Sequence, residues 1–240
     1  MPHNLLTTPP HLPLVAPSIL SADFATLARD ARQVLDAGAD LLHVDIMDGH
    51  FVPNLTMGPA LLASLRGALP DAFFDVHLMV CDPAQYLEPF AKAGADHITF
   101  NIEPALDPRA GTGASPVSAG FDPVELMART RDLGMSAGFA INPGTPLDPV
   151  RAWLAEADMV LAMSVEPGFS GQAFMAEVLP KVQELRAALT DHQRLQMDGG
   201  LSPDTAPACR EAGCDVLVAA TAIFGAAEPD RAAQIAKIRG

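Results

Sequence analysis

The sequence predicts a (β/α)8 barrel of the TIM type. Three observations carry that expectation. Eight apolar, strand-like runs alternate with eight amphipathic stretches along the chain of 240 residues. Glycines close several of the helical stretches two or three residues before the next strand, in "AGAD", "AGAD", "DLGM" and "AGCD". The polar residues gather at the C-terminal ends of the strand runs, the end at which such barrels build their active sites. A doubly wound sheet shares the alternation and is the rival architecture.

The strands expected in order are 14–19 "LVAPSI", 41–46 "LLHVDI", 73–79 "FFDVHLM" and 97–102 "HITFNI", then 135–141 "MSAGFAI", 159–164 "MVLAMS", 194–198 "RLQMD" and 215–219 "DVLVA". Most are short and apolar, as strands buried on both faces are. Helices are expected near 23–36, 59–67, 84–92, 122–132, 148–154, 176–188, 204–212 and 230–238. Ser21 before Asp23 and Ser202-Pro203 before Asp204 read as helix starts. Gly38, Gly94, Gly134 and Gly213 read as C′ residues, where a left-handed backbone ends a helix. Residues 1–13 read as a short Pro-rich N-terminal tail, and 14–240 as one barrel domain. The Gly-, Pro-, Ala- and Ser-rich stretch 106–121 reads as a loop insertion.

Composition narrows the function. The net charge of −14 argues against a nucleic-acid or anionic-membrane surface. No apolar run reaches the length of a membrane span. Three cysteines, Cys81, Cys209 and Cys214, form no CxxC pair and point to a reducing cytoplasm. An anionic substrate stays open, because main-chain N–H groups hold phosphate without Lys or Arg. A homo-oligomer is compatible with the fold, and no sequence patch demands one.

Ser18 ends the first strand. His43 and Asp45 lie two apart on the second, so they face the same way. His77 ends the third strand and Asp198 the seventh. Two imidazoles and two carboxylates from three strands can converge at the barrel mouth, a donor set that suits zinc, ferrous iron, manganese or cobalt. The bland alternative for each is a hydrogen-bonded structural residue. Asp48, before Gly49, reads as a turn former, and His50 as a cleft-lining residue; neither reads as a ligand. Glycine-bearing loops "EPGFSGQAF" (166–174), "DGGLS" (198–202) and "AATAIFG" (219–225) follow the last three strands and could grip an anion by their backbone. Met47, Met79 and Met163, at or just past strand ends, read either as core filler or as an adaptable lid.

These residues sit in segments that resemble the ribulose-phosphate 3-epimerase family: "APSILSADF" (16–24), "HVDIMDGHFVPNLTMGP" (43–59), "DVHLMV" (75–80), "AINPGTP" (140–146), "SVEPGFSGQAF" (164–174), "MDGGLSPDT" (197–205) and "AGCDVLVAATAIFG" (212–225). The resemblance implies a barrel of the ribulose-phosphate-binding type with one divalent metal cation. It implies His43, Asp45, His77 and Asp198 as ligands, and Asp45 and Asp198 as the acid/base pair. Ser18, His77, Gly168, Phe169, Ser170, Gly171, Gly199, Gly200, Ala220 and Thr221 would contact the sugar phosphate. The implied reaction inverts C3 of D-ribulose 5-phosphate to give D-xylulose 5-phosphate, in the pentose phosphate pathway. Alternatives are 3-epimerisation of a six-carbon ketose phosphate such as allulose 6-phosphate, or a catalytically silent sugar-phosphate-binding barrel. A Schiff-base aldolase finds no lysine at any expected strand end. The chain departs from the family's usual residues at Asn101, where His is frequent, and at Glu166, Ser170 and Ala220-Thr221.

Overall fold

The computed structural model describes residues 4–111 and 120–240. All eight expected strands are present, with ends shifted by at most two residues: β1 Leu14–Pro17, β2 Leu42–Met47, β3 Phe74–Met79, β4 His97–Asn101, β5 Ser136–Ile141, β6 Met159–Met163, β7 Arg194–Asp198 and β8 Val216–Ala219. Every ladder is parallel, in the order β1-β8-β7-β6-β5-β4-β3-β2. A single parallel bridge between Ser18 and His43 links β1 to β2 and completes the ring. A doubly wound sheet has two open edges and is excluded.

Helices cover the outside, among them Leu27–Asp36, Pro59–Ala68, Pro123–Asp132, Leu179–Ala188 and Arg231–Arg239. The segment after β5, Asp148–Glu156, winds as the tighter 3-10 form. The expected C′ glycines all take positive φ, from 88° at Gly134 to 103° at Gly38. Two expected starts move: Asp23, not Ser21, caps the 3-10 turn Phe24–Thr26 that leads into the Leu27–Asp36 helix, its carboxylate accepting from the Ala25 N–H at 2.9 Å, and the helix expected after Ser202-Pro203 begins at Ala206. A carboxylate is the stronger acceptor for an orphan helix-start donor. Eight of the residues in the expected insertion, 112–119, lie outside the described residues.

The period of two along each strand separates two environments. Outward residues such as Val44, Val76, Ile98, Phe139, Val160 and Leu217 pack against the helices in the main core. Inward residues build the barrel in layers. Leu14, Ala16, Leu41, Phe73, Met159, Val216 and Val218 form an apolar floor, joined by Leu6, which is 1% exposed. The Leu6 carbonyl also accepts from Arg194 Nε at 2.7 Å, so the segment before β1 is tied across the base. Above the floor come buried polar residues, His43, Asp75, His97 and Gln196, then Asp45, His77 and Thr99. Met47, Met79 and Met163 close the strand ends.

Candidate metal centre and active site

Strand register assembles the centre. Asp45 pairs with His77 across the β2–β3 ladder, and both point into the barrel. His43 sits two residues before Asp45, one layer lower. Asp198 ends β7, beside Met163 of β6. One ligand atom from each of His43, Asp45, His77 and Asp198 lies within 4.8 Å of the others.

The outer partners fix which ring nitrogens face the centre. His43 Nδ1 lies 2.8 Å from Asp75 Oδ2, an atom that can only accept, so Nδ1 carries the proton and Nε2 presents its lone pair. Gln196 Nε2 donates to the same Asp75 oxygen at 2.6 Å. His77 Nε2 lies 3.0 Å from Asn101 Oδ1, which leaves Nδ1 toward the centre. Ser18 Oγ donates to Asp45 Oδ2 at 2.5 Å, turning Oδ1 inward.

His43 Nε2, His77 Nδ1 and Asp45 Oδ1 are all buried and without a hydrogen-bond partner. Asp45 Oδ1 lies 3.2 Å from His43 Nε2 and 3.3 Å from His77 Nδ1. Three such atoms repel one another at this distance unless a proton or a metal ion lies among them. The donor set and its orphaned atoms therefore fit a metal ion.

The electrostatics follow from that crowding. Burial works against a charged His43, yet the Asp45 and Asp75 carboxylates outweigh it and raise the imidazole well above its ordinary value. Burial pushes Asp45 upward, but the charge of His43 and the closeness of both His43 and His77 hold it far below the usual carboxylate range. Asp198 is pushed up to about 6, first by burial and then by repulsion from Asp45. The two carboxyls thus differ sharply in proton affinity, the pattern expected of an acid/base pair.

Above the centre opens a small cavity of about 50 Å³. Asp45 and Asp198 form part of its floor, and Ser18, Met47, Met79 and Met163 line its wall. Gly168, Phe169, Ser170, Gly171, Gly199, Gly200, Ala220 and Thr221 complete it, and no Lys or Arg lines it. His77, expected at the substrate, lies beneath the floor rather than on the cavity surface. The Met side chains are at most 3% exposed, so they act as packed wall as well as rim. Asn54 Nδ2 donates to the Gly168 carbonyl at 2.8 Å and ties the β6 loop to the β2 loop.

Gly199 shows why the wall is made of small residues. Its φ is +122°, and an added Cβ would lie 2.6 Å from Val165 Cγ2 and 2.8 Å from the Val165 nitrogen. Gly200, at φ +65°, would meet the Phe174 nitrogen at 2.6 Å.

Asp48 is a turn former as expected, accepting from the His50, Phe51 and Cys81 N–H groups at 2.8 Å each. His50 requires a correction. It lines a separate surface groove with Leu55, Met57 and Tyr86, because the Asp48 turn directs it away from the cavity. Glu166 likewise lies outside the cavity, in a hollow with Lys181.

The outer partners Asp75, Gln196 and Asn101 were not singled out as functional from the sequence, although their positions offer a signal. Asp75 and Gln196 each lie two residues before an inward-facing member of the cluster, and Asn101 ends β4 in the same parity as His97 and Thr99.

The family model for the ribulose-phosphate 3 epimerase family matches residues 14–224. The chain belongs to the ribulose-phosphate 3-epimerase family. It is accordingly an isomerase. A relative named ribulose-phosphate 3-epimerase from Mycobacterium leprae is 45% identical over 223 residues, covering 92% of each chain. One of the same name from Candida glabrata is 41% identical over 232 residues, covering 90% of this chain and 88% of the relative. Among solved structures, 3-keto-L-gulonate-6-phosphate decarboxylase from Vibrio cholerae superposes with a TM-score of 0.69 at 16% identity, covering 95% of this chain and 96% of the other. That likeness concerns the fold alone.

Proposed function

We propose that the protein inverts C3 of D-ribulose 5-phosphate to give D-xylulose 5-phosphate, a step of the pentose phosphate pathway. The observation that carries this reading is the His43–Asp45–His77–Asp198 cluster at the floor of a cavity lined in part by Gly168, Gly171, Gly199 and Gly200. We assign metal holding to His43 Nε2, Asp45, His77 Nδ1 and Asp198. Their mixed nitrogen and oxygen donors suit zinc, ferrous iron, manganese or cobalt. A bound divalent ion would supply positive charge where the C2 and C3 oxygens of the substrate gain negative charge.

The chain's own residues account for the rest. Inversion needs a proton taken from one face of C3 and another delivered to the opposite face. Asp45 on β2 and Asp198 on β7 stand three steps apart around the ring, through β1 and β8, and supply two carriers. Ser18 holds the Asp45 oxygen that does not face the centre. Met47, Met79 and Met163 keep water from the reacting carbons. The N–H groups around Gly171, Gly199, Gly200, Ala220 and Thr221 would hold the phosphate, fixing the sugar relative to the carboxylates. Buried free thiols at Cys81, Cys209 and Cys214 support a reducing, cytoplasmic setting.

The test is turnover in heavy water with each candidate metal restored after chelation. NMR of the product should show solvent deuterium at C3. Turnover without deuterium there rejects the two-carrier scheme. Faster turnover of allulose 6-phosphate than of ribulose 5-phosphate would replace the substrate, and metal binding without turnover of either would make the barrel a binding protein.

A further inference from the structure

His77 would serve as a ligand only through Nδ1, and something must keep the proton on Nε2. Its neighbour is Asn101, whose amide could present either oxygen or nitrogen. The choice is made one residue further out. Asn101 Nδ2 donates to Glu103 Oε2 at 3.1 Å and to Asn142 Oδ1 at 2.9 Å. Glu103 is a carboxylate surrounded by donors: its Oε1 accepts from the Asn142 N–H at 2.8 Å and from Thr145 Oγ1 at 2.6 Å. A carboxylate only accepts, so the Asn101 nitrogen must face it and the Asn101 oxygen must face His77. Asn101 and His77 are both fully buried, so no solvent offers an alternative partner.

We propose that Glu103 is a positioning residue that sets the His77 tautomer through Asn101. This rests on the metal reading of the site above. The polarity of the chain Glu103–Asn101–His77 runs one way because its outer end cannot donate. The two histidines then have unlike partners. His43 faces the buried anion Asp75 directly, whereas His77 faces a neutral amide with the anion one bond further out. A partner of this kind orients a ligand and keeps its lone pair available.

Glu103→Gln is the decisive change, because it alters one atom and no volume. Gln Oε1 can still serve Asn142 and Thr145. Its nitrogen would replace Oε2 and donate, turning Asn101 so that its NH2 faces His77 Nε2. The His77 proton would then move to Nδ1 and block the lone pair.

Nitrogen-15 NMR of the metal-free protein, at a pH of about 8 where an ordinary imidazole is neutral, reads the tautomer directly. Wild type should show Nε2–H at His77 and Glu103→Gln should show Nδ1–H. Calorimetric titration with zinc alone should show affinity reduced about 10–100-fold in the variant. Thr145→Val removes a donor from the other Glu103 oxygen and should change neither reading. An unchanged tautomer with wild-type zinc affinity in Glu103→Gln overturns the proposal. Equal losses in Glu103→Gln and Thr145→Val also overturn it, since the effect would be one of loop structure. Neither measurement uses turnover, so a wild-type protein inactive on ribulose 5-phosphate would refute the substrate without touching this result.

Discussion

Ser18 Oγ stands 2.5 Å from Asp45 Oδ2, so the most shared carboxylate of the site is steadied from the neighbouring strand by one hydroxyl. Ser18 also forms the bridge that joins β1 to β2 and completes the ring. Ser18→Ala leaves the backbone bridge intact and removes only the hydroxyl. A hydrogen bond to a buried charge is worth ~1.5–3 kcal/mol. Urea unfolding of the variant should show a loss in that range, with a lower turnover number.

Asp45→Asn and Asp198→Asn should each reduce turnover by about 10²–10⁴-fold, the size of a lost acid/base group. The two losses should not add, because both carboxylates serve one proton relay. Single-turnover rates of the double variant, compared with each single one, measure this. Near-wild-type turnover in either single variant would remove that residue from the reaction.

Metal binding should depend on pH around the Asp198 transition. Its folded carboxyl titrates at about 6, above its ordinary 3.8. Folded, metal-free protein therefore binds more protons than unfolded protein between those values. Its stability should fall as pH rises through that window, and the raised His43 imidazole extends the fall to higher pH. A cation that takes the proton's place reverses this trend. Metal affinity should drop as pH falls through about 6, with protons released on binding. Calorimetry in buffers of different ionisation enthalpy would detect the released protons.

Gly199→Ala should damage substrate binding more than metal binding. The added methyl meets a backbone nitrogen, which cannot swing aside, at a φ that L residues rarely adopt. Strain of ~1–3 kcal/mol is expected. KM for the sugar phosphate should rise about 5–150-fold if that strain falls on the loop, while zinc affinity stays near wild type.

Leu6→Ala tests the base of the barrel. Leu6 is 1% exposed among Leu14, Phe73 and Met159. Truncating a buried leucine costs about 2–5 kcal/mol. Thermal unfolding should show a clear drop in midpoint, with KM unchanged because the change lies at the opposite end from the cavity.

Strand positions and their inward parity were legible in the sequence because a period of two survives in the residue pattern. Parity alone puts His43 with Asp45, and Asp75 with His77, inside the barrel. The clustering of His43, Asp45, His77 and Asp198 and the cavity wall followed from strand ends and glycine-bearing loops. What stayed hidden was lateral. That Gln196 reaches Asp75, or that Asn101 turns its oxygen to His77, depends on how strands far apart in sequence pair and on the tilt of each side chain. Glu103 was invisible for the same reason: it lies in a short helix, Glu103–Leu106, that no periodicity announces. His50 misled because its sequence neighbours are site residues, while the Asp48 turn sends it elsewhere.

Much of the cavity wall, at Gly168, Gly171, Gly199 and Gly200, has no side chain to lose. Deletion of side-chain atoms, the logic of alanine scanning, cannot subtract anything there; it can only add. A scan would mark the carboxylates and pass over this wall, or misread its failures as folding defects. The vulnerability of these glycine positions is to bulk.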